Sequence, residues 1–165
     1  MRKKYFLRNA VDCEKSIFDY IQDSIFNYVI LDNNYPLTWG DGSPVIYGSL
    51  EDAKAESQEG DVIITEWEFL VKFYMNDIEE ILINTIKENG EFDGNCYVHW
   101  LGEDFYGVIN LDGYTDILGA FVGTDNMLSF LVSDENDNKQ GFVDILQFDN
   151  DVIYKIINNI LKYKN

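Results

Sequence analysis

The chain has 165 residues, of which 46% are hydrophobic and 15% aromatic. That is enough for one domain with a proper core, and it excludes an intrinsically disordered acidic chain. The formal net charge of −18 excludes direct binding to nucleic acid or to an anionic membrane surface, since both need clustered Lys and Arg.

At the N-terminus, Met1 to Arg8 carries Arg2, Lys3, Lys4 and Arg8 and reads as a basic arm. It does not continue as a signal peptide, because Asn9, Asp12, Glu14 and Lys15 interrupt any apolar run. Residues 9–92 are expected to form a mixed helix and strand support for the sheet that follows. Within them, Val11, Ile17, Phe18, Ile21 and Ile25 fall at helical spacing, predicting an amphipathic helix over 10–26 with Asn9 at its N-cap.

Residues 27–31 predict a strand. Residues 32–44 hold both prolines, Asp41-Gly42 and Trp39, and read as a long loop. Trp39 there either folds back over the core or anchors a binding surface. Val45 to Tyr47 predicts a short strand, Ser49-Leu50-Glu51-Asp52 a capped helix start, and Val62 to Ile64 another strand. Thr65-Glu66-Trp67-Glu68 repeats the capping pattern. Asn76-Asp77 then looks like a second helix start before Ile78, Ile81, Leu82 and Ile86, with Asn89-Gly90 as the stop. Two helices joined at Asn76 are expected, with one kinked helix as the alternative. The segment 70–88 loosely resembles 145–161, which shared capping grammar explains without a repeat.

Residues 95–148 organise the rest. They read as an antiparallel β-meander of about five strands, with carboxylates at the turns and Lys139 the single basic side chain. Expected strands are Cys96 to Leu101, Phe105 to Leu111, Ile117 to Val122, Met127 to Ser133 and Phe142 to Phe148. Asp112-Gly113 is a hairpin signal, since tight turns need positive φ. A C-terminal helix over 150–163 has one apolar stripe, Val152, Ile153, Ile156, Ile157, Ile160 and Leu161. Lys162 and Lys164 sit where the helix dipole favours cations. The expected fold is α+β, a meander packed with N-terminal and C-terminal amphipathic helices in a single domain.

No catalytic motif stands out. Cys96 and His99 are three residues apart, and on a strand they point to opposite faces, unable to share a metal. Asp134-Glu135-Asn136-Asp137-Asn138 begins like a calcium loop, but Lys139 stands where glycine is needed and Ile145 where a bidentate glutamate is needed. No glycine-rich phosphate loop follows a strand, so neither a cofactor nor a metal is expected. Cys13 and Cys96 alone make no disulfide framework, and no window reaches transmembrane length; the expected location is the cytoplasm.

The acids therefore carry the functional expectation: a non-catalytic binding protein occupying a basic cleft on a protein partner. Inhibitors, immunity proteins and nucleic-acid mimics work on this physical logic. Strict up-and-down strands would put the Asp112–Asp116 and Asp134–Asn138 loops at one end, about 10 Å apart, with Asp93 beside them. The expected partner site is Asp112, Tyr114, Asp116, Asp134, Glu135 and Asp137, with Tyr106 adding aromatic area. Glu103, Asp104, Asp125, Asp149 and Asp151 would form a second acidic end. The alternatives are a structural or assembly subunit binding through apolar and aromatic surface, and a carboxylate-dependent hydrolase.

Overall fold

A computed structural model describes residue 21, residues 23–136 and residues 138–162. The basic arm, most of the expected 10–26 helix, Asp137 and Lys164 lie outside the described residues. The fold is α+β, and the chain divides into two compact units, residues 1–77 and 78–165.

In the first unit, strands β1 (Tyr28–Asp32), β2 (Tyr35–Pro36) and β3 (Val62–Thr65) form an antiparallel sheet in the order β2-β1-β3. Central β1 is a β-branched and aliphatic run, and its Val29, Ile30 and Leu31 are buried. Asn33 and Asn34, both at positive φ, turn β1 into β2 at once. The expected long loop is thus largely laddered, with Trp39 and Ser43 bonded by their backbones and Asp41 accepting from the Ser43 amide. Trp39 is 61% exposed and does not cover the core.

Helix α1 (Leu50–Glu56) starts as its sequence requires: the Ser49 hydroxyl accepts from the Asp52 amide at 3.1 Å. Helix α2 (Glu66–Asn89) starts with the Thr65 hydroxyl accepting from the Glu68 amide at 3.1 Å, and that hydroxyl donates to the Glu68 carboxylate at 3.3 Å. It runs unbroken through Asn76, contrary to the expected two helices. The buried stripe of Leu70, Tyr74, Ile78, Leu82 and Ile86 keeps helical spacing across Asn76-Asp77, so the potential cap only adds polar residues to one turn.

The second unit is built on a five-stranded antiparallel meander, in the order β4 (Glu91–Phe92), β5 (Cys96–Trp100), β6 (Asp116–Gly123), β7 (Leu128–Ser133) and β8 (Gln140–Val143). Helix α3 (Asn150–Leu161) buries all six residues of its predicted stripe. The likeness between 70–88 and 145–161 stops at the cap: Asp149 begins α3, whereas Asp77 is internal to α2.

Two strands of the meander differ from expectation, and in the first unit Val45 to Tyr47 is not a strand but touches β1 only through an isolated bridge from Tyr47 to Tyr28. Phe105 to Leu111 is not a strand; β5 pairs directly with β6, Cys96 to Gly123 through Trp100 to Gly119. The intervening residues form a 3-10 turn at Glu103–Phe105, a positive-φ Gly107 and a tight hairpin at Asp112-Gly113, while Phe105 and Ile109 plug inward. The fifth strand is instead the two-residue β4. The last strand ends at Val143, because the Asp144 carboxylate accepts from the Leu146 amide at 2.8 Å and caps a 3-10 turn over Ile145–Gln147.

A bulge at Leu118 shifts the register of β6 between Ile117 and Gly119. It brings Ile117 onto the same face as Ala120 and Val122. With Phe130 and Val132 of β7 they make a fully buried face, and Phe148 packs edge-on against Phe130. Helix α3 meets that face at His99, whose Nε2 lies 3.0 Å from the Asn159 Oδ1.

Candidate functional site

The register decides which acids share an end. β5 finishes at Trp100, β6 starts at Asp116, β7 finishes at Ser133 and β8 starts at Gln140, so the β5–β6 and β7–β8 connections leave from one end of the sheet. That end carries Glu103, Asp104, Asp112, Asp116, Asp134 and Glu135. The two loops touch: the Lys139 ammonium donates to the Asp112 carbonyl and lies 4.4 Å from the centre of the Tyr114 ring.

Glu103 and Asp104 thus belong with the Asp112 group rather than opposite it, and Asp93 belongs with Asp125 at the far end. One missing strand inverts the up-and-down count for everything before β6. Asp149 lines a shallow pocket with Val108, Ile109, Leu111 and Phe148, beside the β5–β6 connection. Asp137 lies outside the described residues.

Many of these carboxylates hold turns. Asp116 Oδ1 accepts from the Gly107 amide at 2.7 Å and the Thr115 hydroxyl at 3.0 Å, tying the long connection to β6. Asp134 Oδ1 accepts from the Asn138 amide at 2.8 Å and the Asn136 amide at 3.3 Å, a self-bonded turn in place of a calcium loop. At the far end Asp125 accepts from the Met127 amide at 3.0 Å. Asp93 accepts from the Asn95 and Cys96 amides, each at 3.1 Å, and these bonds lower its pKa. Glu103, Asp104, Asp112 and Glu135 are exposed.

Of the two tyrosines expected to add area, Tyr106 is exposed, but Tyr114 is held between the loops. Its hydroxyl lies 2.6 Å from where a Cβ on Gly141 would stand, so the missing side chain there makes room for the ring.

The other expectations about chemistry resolve locally. Cys96 and His99 pair with Gly123 and Ala120 on opposite faces. Burial and the neighbouring Asp93 push the Cys96 thiol up, away from the thiolate a nucleophile needs. Among the described residues no group of three His, Cys, Asp or Glu could hold a metal, and no helix is long and apolar enough to cross a membrane.

Sequence reasoning missed an aromatic row on the other face of the sheet. Trp100 meets Phe121 edge-on with centroids 5.5 Å apart, and Phe121 meets Phe142 edge-on at 5.3 Å. Trp100 and Phe142 are 53% and 60% exposed. Gly119 beneath them is structural: a Cβ there would stand 3.0 Å from the indole of Trp100. The signal was present in the alternation Val98-x-Trp100 and Gly119-x-Phe121, but its exposure was not.

Compared with protein-family descriptions, curated proteins and solved structures, the chain shows no significant match to any.

Proposed function

We propose that this is a non-catalytic acidic binding protein that occupies a basic surface on a protein partner through the Glu103–Glu135 end of its meander. The observation that supports this reading is the convergence of the two acidic connections. Their register is set by strand pairing, and the only basic side chain between residues 95 and 148, Lys139, is engaged by Asp112 and Tyr114. Carboxylates held on a rigid sheet end can pair with Arg and Lys without ordering a loop first, the logic of inhibitors, immunity proteins and nucleic-acid mimics.

The test is charge reversal at Glu103, Asp104 and Glu135, exposed acids whose backbones are not at positive φ, with a partner captured from the native cell. Weaker binding and a flatter dependence on salt are expected; unchanged affinity and unchanged salt slope overturn the proposal.

The exposed Trp100 and Phe142 favour a second reading, an assembly subunit that binds through apolar surface. Light scattering at low and high salt separates the two: self-association that persists or strengthens in salt supports the subunit reading.

A further inference from the structure

The sequence holds four places where Asn or Asp precedes glycine: Asp41-Gly42, Asn89-Gly90, Asp93-Gly94 and Asp112-Gly113. At such a pair the glycine nitrogen can attack the preceding side-chain carbonyl, because glycine has no Cβ to hinder the approach. Hydrogen bonds hold the first three against this. The Gly42 amide donates to the Trp39 carbonyl at 2.9 Å, and the Asp41 carboxylate accepts from the Ser43 amide and hydroxyl. The Gly90 amide donates to the Ile86 carbonyl at 2.7 Å, while the Asn89 side-chain amide donates to the Thr85 carbonyl. The Asn95 and Cys96 amides hold Asp93 as the unreactive carboxylate.

Asp112-Gly113 lacks these restraints. Both residues are exposed, and among the described residues neither the carboxylate nor the glycine amide has a hydrogen-bond partner. The hairpin bonds run between Leu111 and Tyr114, outside the pair. The Lys139 ammonium donates to the Asp112 carbonyl, the oxygen of the same peptide group whose nitrogen must react. A cation there draws electron density from the amide and makes its proton easier to lose.

We propose that Asp112-Gly113 is the site at which this protein isomerises spontaneously to isoaspartate, promoted by Lys139. The side chain reacts as the neutral acid. The Gly113 nitrogen bonds to Asp112 Cγ, and the amide proton and the carboxyl hydroxyl depart as water, closing a succinimide ring. Water then opens the ring at either carbonyl. Attack at Cγ restores aspartate. Attack at the main-chain carbonyl breaks its bond to the Gly113 nitrogen, so the chain now runs through the side chain and is one methylene longer. The longer backbone no longer fits a two-residue turn with Asp112 at φ 48° and Gly113 at φ 88°, and the β5–β6 connection loses its contact with Lys139.

The intact protein is aged in mildly acid buffer, folded or in urea, then digested and mapped by electron-transfer fragmentation, which separates isoaspartate from aspartate. In the folded protein isoaspartate is expected first at position 112, with positions 41, 89 and 93 several-fold slower. In urea the three aspartyl sites are expected to react at similar rates, since the bonds that set them apart are gone. Lys139→Met is expected to slow position 112 several-fold in the folded protein and to change nothing in urea. Lys139→Arg, which keeps the cation, is expected to retain most of the rate. An equal or faster rate at 41, 89 or 93 in the folded protein overturns the assignment. So does a lead at 112 that persists in urea, or no isoaspartate at any position. An unchanged rate in folded Lys139→Met overturns the part given to Lys139.

Discussion

The two faces of the five-stranded sheet are both apolar in sequence, yet they have opposite fates. One carries Ile117, Ala120, Val122, Phe130 and Val132, all buried, with α3 reaching it at His99 and Asn159. The other carries Trp100, Phe121 and Phe142, with the first and last more than half exposed. Alternation along a strand states which residues share a face, and it is silent on whether anything covers that face. The first face is stability. The second keeps the Trp100 and Phe142 rings at the surface.

The sharpest way to break this contrast is to truncate one ring on each face. Phe130→Ala is expected to cost about 3–5 kcal/mol, as deletion of a fully buried aromatic does. Phe142→Ala is expected to cost about 1 kcal/mol, the loss of an exposed edge-to-face contact. Urea unfolding midpoints measure both, and equal losses would show that the outer face is core.

A smaller effect separates the carboxylates that hold turns from those that only face water. Asp116→Ala removes the acceptor for the Gly107 amide and the Thr115 hydroxyl and is expected to cost about 1–2 kcal/mol. Asp104→Asn and Glu135→Gln are expected to fall within about 0.5 kcal/mol of wild type. If Asp116→Ala is equally silent, the acidic end is not braced as the hydrogen bonds indicate.

The smallest expected effect concerns a carboxylate held at a cost. Burial, with the nearby Asp144 charge as a lesser cause, raises the pKa of Glu79 on α2. A raised folded pKa means the fold favours the protonated form. That contribution is complete below the unfolded pKa and is lost as pH rises through the folded one. Glu79→Gln is therefore expected to be more stable than wild type at neutral pH and to converge with it in acid. Asp93 has the opposite sign: its lowered pKa adds stability above the usual carboxylate range that disappears as pH falls. Urea midpoints across pH, with Glu79→Gln and Asp93→Asn in parallel, check both directions.

Local chemistry was legible residue by residue. Ser49 and Thr65 cap as their patterns require, Asp112-Gly113 turns with both residues at positive φ, and the stripe from Val152 to Leu161 is buried as written. Each depends on neighbours within a few positions in the chain. The errors arose where a local signal was outcompeted. Asn76-Asp77 is a fair cap that a continuous apolar stripe overrode. Phe105 to Leu111 has strand-like residues, but β5 had its ladder filled by β6 across a connection of fifteen residues.

By itself, then, the sequence determined the α+β class, the caps, the turns and the acidic character of the connections, because these follow from short-range sterics, hydrogen bonding and composition. Only the tertiary structure decided which strands pair, hence that Glu103 and Asp104 stand with Asp112 and Asp134 while Asp93 stands apart. It also decided which aromatic rings stay exposed, Trp100 and Phe142. Pairing and coverage are contacts between residues far apart in the chain, and a one-strand difference in the count moves a carboxylate from one end of the sheet to the other.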